Sequence, residues 1–179
     1  MKTIIQAFRL FILLTLLTGV AYPVAVTLVG RAIFPYQASG SIVERDAKPV
    51  GSALLAQKFE SPRYFWPRPS ASDYATVPSG ASNLGPTSEA LKKAIAERRA
   101  KFGVDAPEEM LTASGSGLDP HISPQAASQQ IARVAEARKL DAARIAALVA
   151  GCTEPPQWGV FGEPRVNVLA LNLRLDTIK

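Results

Sequence analysis

The chain has 179 residues, 20 basic and 15 acidic side chains, a net charge of +5, and one Cys and one His. A lone cysteine excludes an internal disulfide, and Cys152 with His121 makes no zinc or redox motif. Lys2, Arg9 and Arg31 fall in the first 33 positions with no acid among them, leaving seventeen bases against fifteen acids. The basic character therefore belongs partly to one end, and no basic stripe interleaved with aromatics marks a nucleic-acid binder.

Between Arg9 and Arg31 the run Leu10–Gly30 carries no charge. As a helix it is roughly 31 Å long, close to the ~30 Å hydrocarbon core of a bilayer. A cleaved signal peptide is the alternative. Lys2 and Arg9 would be its basic end, Leu10–Val20 its apolar part, and Gly19-Val20-Ala21 its small-residue cleavage site. The apolar run continues, however, through Val24, Ala25, Val26, Leu28 and Val29, which a spanning helix needs and a signal does not. The expected layout is a cytoplasmic end over 1–9, a transmembrane helix over 10–33 and an extracytoplasmic domain over 34–179. Pro23 removes one helical hydrogen bond in mid-span, a loss that neighbouring helices compensate. Gly19 and Pro23 are the candidate positions for packing against other helices.

Beyond the span, Phe34–Gly40 reads as a linker. Ser41–Arg45 and Val50–Gln57 are expected to pair as a hairpin around a turn at Asp46-Ala47-Lys48-Pro49. Residues 61–86 form a long loop with Pro62, Pro67, Pro69, Pro78 and Pro86, and Tyr64, Phe65, Trp66 and Tyr74 argue that it is ordered. A helix capped by Thr87 or Ser88 carries Leu91, Ile95 and Phe102 at helical spacing and ends at Gly103. A short helical turn follows Pro107. After a second polar loop, Ser114–Ser123, a helix capped by Ser123 with Pro124 at its first position runs to about Arg138, with Ala127, Ile131 and Val134 inward. Asp141 caps another, with Ile145, Leu148 and Val149 inward and Gly151 at its end. From Arg165 to Leu175 the alternation of Leu169, Leu171, Leu173 and Leu175 with Ala170, Asn172 and Arg174 predicts a half-buried strand. The fold class is α/β: a single N-terminal transmembrane helix followed by one mixed α/β extracytoplasmic domain with a small sheet.

Three segments resemble chemistry. Gly80-Ala-Ser-Asn-Leu-Gly85-Pro86-Thr87 has the spacing of a phosphate-binding loop, but Pro86 stands where its lysine belongs and no apolar strand precedes it. Asp119, His121 and the serines around them invite a hydrolase reading, yet neighbours in sequence are not a triad and no nucleophile elbow is present. Asp119 and Ser123 are expected to bond backbone groups instead. Arg68, between two prolines, suits a carboxylate or a carbonyl cluster. Gln129, Gln130, Arg133 and Arg138 occupy one helix, and the spacing of the two arginines does not require a shared face.

Taken in order, a larger set of segments resembles one family. They are the apolar span, Gly51–Gln57, Tyr64-Phe-Trp-Pro-Arg-Pro-Ser-Ala71, Ser79–Pro86, Ser116-Gly-Leu-Asp-Pro-His-Ile-Ser123, Arg133–Arg138 and Val166-Asn-Val-Leu-Ala-Leu-Asn172. Together they look like the C subunit of the bacterial Kdp potassium-transporting P-type ATPase. The resemblance implies a single-pass inner-membrane subunit with its main domain in the periplasm. The implied partners are a potassium-translocating A subunit, an ATP-hydrolysing B subunit, a small F subunit and membrane lipid, with no nucleic acid. ATP and potassium would be handled by the complex; this chain would hold no metal or catalytic set. The family is described as a catalytic chaperone that raises the ATP affinity of the hydrolysing subunit, whereas the derived topology keeps this domain away from cytosolic ATP. Arg68, Ser70, Tyr74, Ser82, Asn83, Asp119, His121, Arg133, Arg138 and Asn167 are the expected interaction residues. The competing functions are an extracytoplasmic hydrolase using the Asp119/His121 loop and a secreted binding domain released at Ala21.

Overall fold

The computed structural model describes residues 1–178, and the chain divides into two compact units after Val50. The first unit is dominated by one long helix, α1 (Lys2–Leu16) and α2 (Tyr22–Ile33), joined through a π-turn at Leu17–Ala21. An 18-residue stretch of its 32 residues reaches a mean hydropathy of 2.1, and none of the side chains is buried. Residues 2–9 are helical too, because Ile4, Ile5 and Phe8 continue the apolar pattern. The π-turn sits just ahead of Pro23. There the Tyr22 N–H donates to the Leu17 carbonyl, five residues back, and the helix absorbs a proline within its own backbone. Thr18 and Thr27 donate their hydroxyls to the carbonyls of Leu14 and Pro23, each at 2.7 Å, so neither presents a free polar group to an apolar solvent.

The linker contains one helical turn, α3 (Pro35–Ala38). The hairpin is tighter than expected. Asp46 and Ala47 both have positive φ, 52° and 58°, the geometry of a two-residue turn that matches strand twist. β1 (Ile42–Arg45) therefore pairs with β2 (Lys48–Ser52), which starts two residues early. β2 also stops early, because the Ser52 carbonyl and hydroxyl accept from the Leu55 and Leu54 amides and turn the chain.

In the second unit, α4 (Glu89–Phe102) is capped by Ser88 and ends at Gly103, whose φ of 100° suits glycine. It buries no residue completely; Leu91, Ile95 and Phe102 are half-buried. α5 (Glu108–Leu111), β3 (His121–Ile122), α6 (Pro124–Arg138), α7 (Ala142–Cys152), β4 (Thr153–Glu154), β5 (Arg165–Asn167) and α8 (Val168–Leu175) follow. The antiparallel sheet has the order β3-β5-β4, with His121 opposite Asn167 and Val166 between Ile122 and Thr153. Phe65, Met110, Ile122, Ala127, Val134, Ile145, Val166, Leu171 and Leu175 fill one core between the sheet and α6, α7 and α8. Ser123 and Asp141 cap α6 and α7 as expected.

The expected strand over 165–175 is wrong after its third residue. Asn167 turns out of β5 and caps α8, its Oδ1 accepting from the Ala170 N–H at 3.0 Å. Val168, Leu171, Asn172 and Leu175 recur at helical spacing, and all four are buried. The leucine alternation hid this face, since Leu173 is only half-buried.

Candidate functional site

Several of the polar residues singled out in the sequence converge on the 61–86 loop, and two arginines with two buried amides hold it to the helical core. Two buried amides act first. Asn172 Oδ1 accepts from the Phe65 N–H at 2.9 Å while its Nδ2 donates to the Phe65 carbonyl at 3.0 Å. Gln130 repeats this on the next residue, accepting from Trp66 N–H at 2.8 Å and donating to the Trp66 carbonyl at 3.1 Å. Two consecutive backbone units are thus paired by side chains as a neighbouring strand would pair them, which lets Phe65 sit fully buried without a sheet partner. Neither amide was among the expected site residues.

Arg133 and Arg138 reinforce the same segment, so the two arginines do share a task despite their spacing. Arg133 donates to the carbonyls of Pro62 and Tyr64 at 2.7 and 3.0 Å and to Gln130 Oε1 at 2.6 Å. Its guanidinium lies 3.6 Å from the Trp66 ring centroid, and burial pushes its pKa down to about 10. Arg138 donates to the Arg63 carbonyl at 2.7 Å and pairs with Asp176 at 2.7 Å.

Arg68 meets Asp119 at 3.0 Å, the carboxylate its chemistry suggested. The other Asp119 oxygen accepts from the His121 N–H at 3.0 Å, closing the loop ahead of α6. Ser70 Oγ accepts from the amides of Ser72 and Tyr74 at 3.2 and 3.0 Å, and the Tyr74 hydroxyl donates to the Arg68 carbonyl at 2.9 Å. Burial, with the nearby charge of Asp73, pushes the Tyr74 phenol up to about 12, so it remains a donor at neutral pH. Gly117 locks this loop against 114–118. Its φ is +72°, and a Cβ there would lie 2.9 Å from the Gly80 carbonyl. Asn167 spends its Nδ2 on the Ala53 carbonyl at 2.8 Å. Ser82 and Asn83 are exposed and stand apart from these networks; Asn83 lines a shallow depression of about 420 Å³ with Ser72 and Ser79. Gly19 and Pro23 lie in the apolar helix of the first unit.

The hydrolase geometry is not assembled among the described residues. His121 Nδ1 stands 3.9 Å from Asp119 Oδ1, beyond a hydrogen bond, and both carboxylate oxygens are already engaged. Ser123 Oγ caps α6 and Ser116 Oγ accepts from Leu118 N–H. Burial and then Arg165 lower the His121 pKa, against the opposing pull of Asp119 and Glu154. A His with a lowered folded pKa binds fewer protons folded than unfolded, so this stability is complete above the unfolded value of ~6.5 and lost as pH falls through the folded one. His121→Gln is expected to flatten the fall of the urea midpoint that the parent shows as the pH drops below about 6.5. Parallel pH profiles for the two proteins would contradict this.

A single apolar span joined to a small α/β domain whose polar groups bind its own loops defines a membrane-associated protein. The family model for the c chain of the K+-transporting ATPase, KdpC, matches residues 4–177. The potassium-transporting ATPase KdpC subunit of Burkholderia vietnamiensis is 51% identical over 187 residues, covering 98% of this chain and 97% of that one. The Rhodospirillum rubrum subunit of the same name is 52% identical, with coverages of 98% and 96%. That of Polaromonas naphthalenivorans is 53% identical, with coverages of 100% and 97%. The chain belongs to the KdpC family, the c chain of the K+-transporting ATPase.

Proposed function

We propose that this chain is a non-catalytic, membrane-anchored subunit of an ATP-driven potassium uptake pump. It holds a potassium-translocating A subunit, an ATP-hydrolysing B subunit and a small F subunit in one assembly, with its main domain in the periplasm. The observation that carries the proposal is the apolar helix Lys2–Ile33, with no residue buried, interrupted by a π-turn and Pro23 in mid-span. Such a helix finds its solvent in lipid, and an irregular turn at membrane depth is tolerated best against other helices. The domain supports the same reading, since its signature polar side chains are committed to internal bonds rather than to a reaction centre. The segment Gly80–Thr87 offers no lysine for a phosphate. An effect on ATP affinity therefore travels through the span, as contacts that differ between transport states.

Removing residues 1–33 is expected to abolish co-purification with the pump while the remaining domain stays folded; full assembly of the truncated chain would refute the anchor's role. Orientation is read in the same cells. In a Cys152→Ala background, a Val104→Cys thiol at an 82% exposed position should react with a membrane-impermeant maleimide before lysis. Labelling only after lysis would place the domain in the cytoplasm.

A further inference from the structure

Between β4 and β5 the chain makes a knuckle, Pro155–Gly162, in which every residue but the half-buried Pro156 is exposed. Trp158, Val160 and Phe161 are 83%, 76% and 62% exposed. Yet the tip is built rather than loose. Phe161 N–H donates to the Gln157 carbonyl at 3.0 Å and Gln157 N–H to the Phe161 carbonyl at 2.8 Å, while Gly159 N–H donates to Pro156. Trp158 and Gly159 take the positive φ values, 55° and 77°, that a tight turn needs. The Trp158 and Phe161 rings meet edge to face at 5.9 Å. At the base, Glu154 and Arg165 face each other in register and pair at 3.0 Å, with the exposed Glu163 beside them, so the charges stop where the knuckle begins. From Pro155 to Gly162 there is no charged side chain.

We infer that this knuckle inserts its aromatic tip into the interfacial layer of a lipid bilayer, as a second membrane contact of the same chain. An uncharged tip with one Trp, one Phe and one Val complements neither a nucleic acid nor an acidic or basic peptide. It has the composition of the aromatic belts found at the boundary between lipid and water, where an indole buries its ring and keeps its N–H wet. The bilayer is also an apolar surface that the chain already meets, since the helix Lys2–Ile33 ties the domain to it and keeps its local concentration high. The inference rests on the anchor reading above. Its consequence is a domain restrained at two points, with less freedom to tumble above the membrane than a single tether leaves.

The chain contains two tryptophans, Trp66 and Trp158, so the difference between the parent and Trp158→Phe isolates the knuckle. The test uses the full chain alone, reconstituted in uncharged phosphatidylcholine vesicles with or without bromine at the shallow acyl positions. Trp158 emission should be blue-shifted and quenched about twofold or more by the brominated lipid, while Trp158→Phe shows little lipid quenching. Protein that floats with vesicles but shows no quenching of Trp158 overturns the inference and leaves the anchor standing. Shielding of Trp158 from aqueous acrylamide only after other pump subunits are added also overturns it, in favour of a protein contact. Concentration-dependent shielding in the absence of lipid overturns it in favour of a second copy of this chain. Failure to float with vesicles overturns the anchor and, with it, the second contact.

Discussion

Asn172→Leu is expected to destabilise the domain by about 2–6 kcal/mol, because it strips two backbone groups of their partners in a site that water does not reach. Asn172 is 2% exposed and serves both the N–H and the carbonyl of Phe65, itself fully buried. Leucine keeps the branched outline but is larger than asparagine, so some overpacking of the buried site adds to this loss. Each orphaned backbone group costs about 1–3 kcal/mol, a large share of the ~5–15 kcal/mol that holds a domain together. Denaturant unfolding of the full chain in detergent, followed by Trp66 emission in a Trp158→Phe background, measures it. A shift below about 1 kcal/mol would mean that the loop relaxes to satisfy itself, and the paired-amide account would fail. Gln130→Leu should act the same way on Trp66, and the double variant should cost less than the sum of the two. Phe65 and Trp66 are adjacent, and once one is released the other loses much of its restraint.

Features set by neighbours in sequence were legible before the fold was known. Ser88, Ser123 with Pro124, and Asp141 cap helices where the rules for orphan N–H groups place them. The apolar span announced itself by length and lack of charge. What failed depended on distant partners. Asn172 meets Phe65 across 107 positions and Gln130 meets Trp66 across 64, so no local pattern marks either amide as structural. Arg68 was legible in kind, as a group seeking a carboxylate, but Asp119 became its partner only when two loops 51 positions apart were brought together. The last segment misled because leucines at every second position fit a strand, while the Asn167 cap and the face Val168, Leu171, Leu175 fit a helix. Composition of a face outweighs alternation when a cap precedes it. The π-turn ahead of Pro23 has no sequence signal of its own beyond the proline.

Arg138→Met carries the second large effect, about 3–5 kcal/mol, and it separates structure from interface among the expected site residues. The side chains of Arg138 and Asp176 are 7% and 18% exposed and pair at 2.7 Å. Solvent screening is therefore weak, unlike at the exposed pairs of Lys58 or Lys92. The same guanidinium donates to the carbonyls of Arg63 and Leu175, and it lies over the Tyr64 ring whose hydroxyl donates to Asp176. Methionine keeps the stem and its packing but withdraws the charge and all three bonds. Arg138→Lys should recover part of the loss, since an ammonium keeps the charge but not the planar fork. Denaturation midpoints of the three proteins read the order directly. In the assembled pump, a purely structural role predicts less complex per cell for Arg138→Met and unchanged transport per complex. A drop in transport per complex at equal assembly would instead place Arg138 on a working interface, because loop-holding alone cannot slow a pump that has already formed.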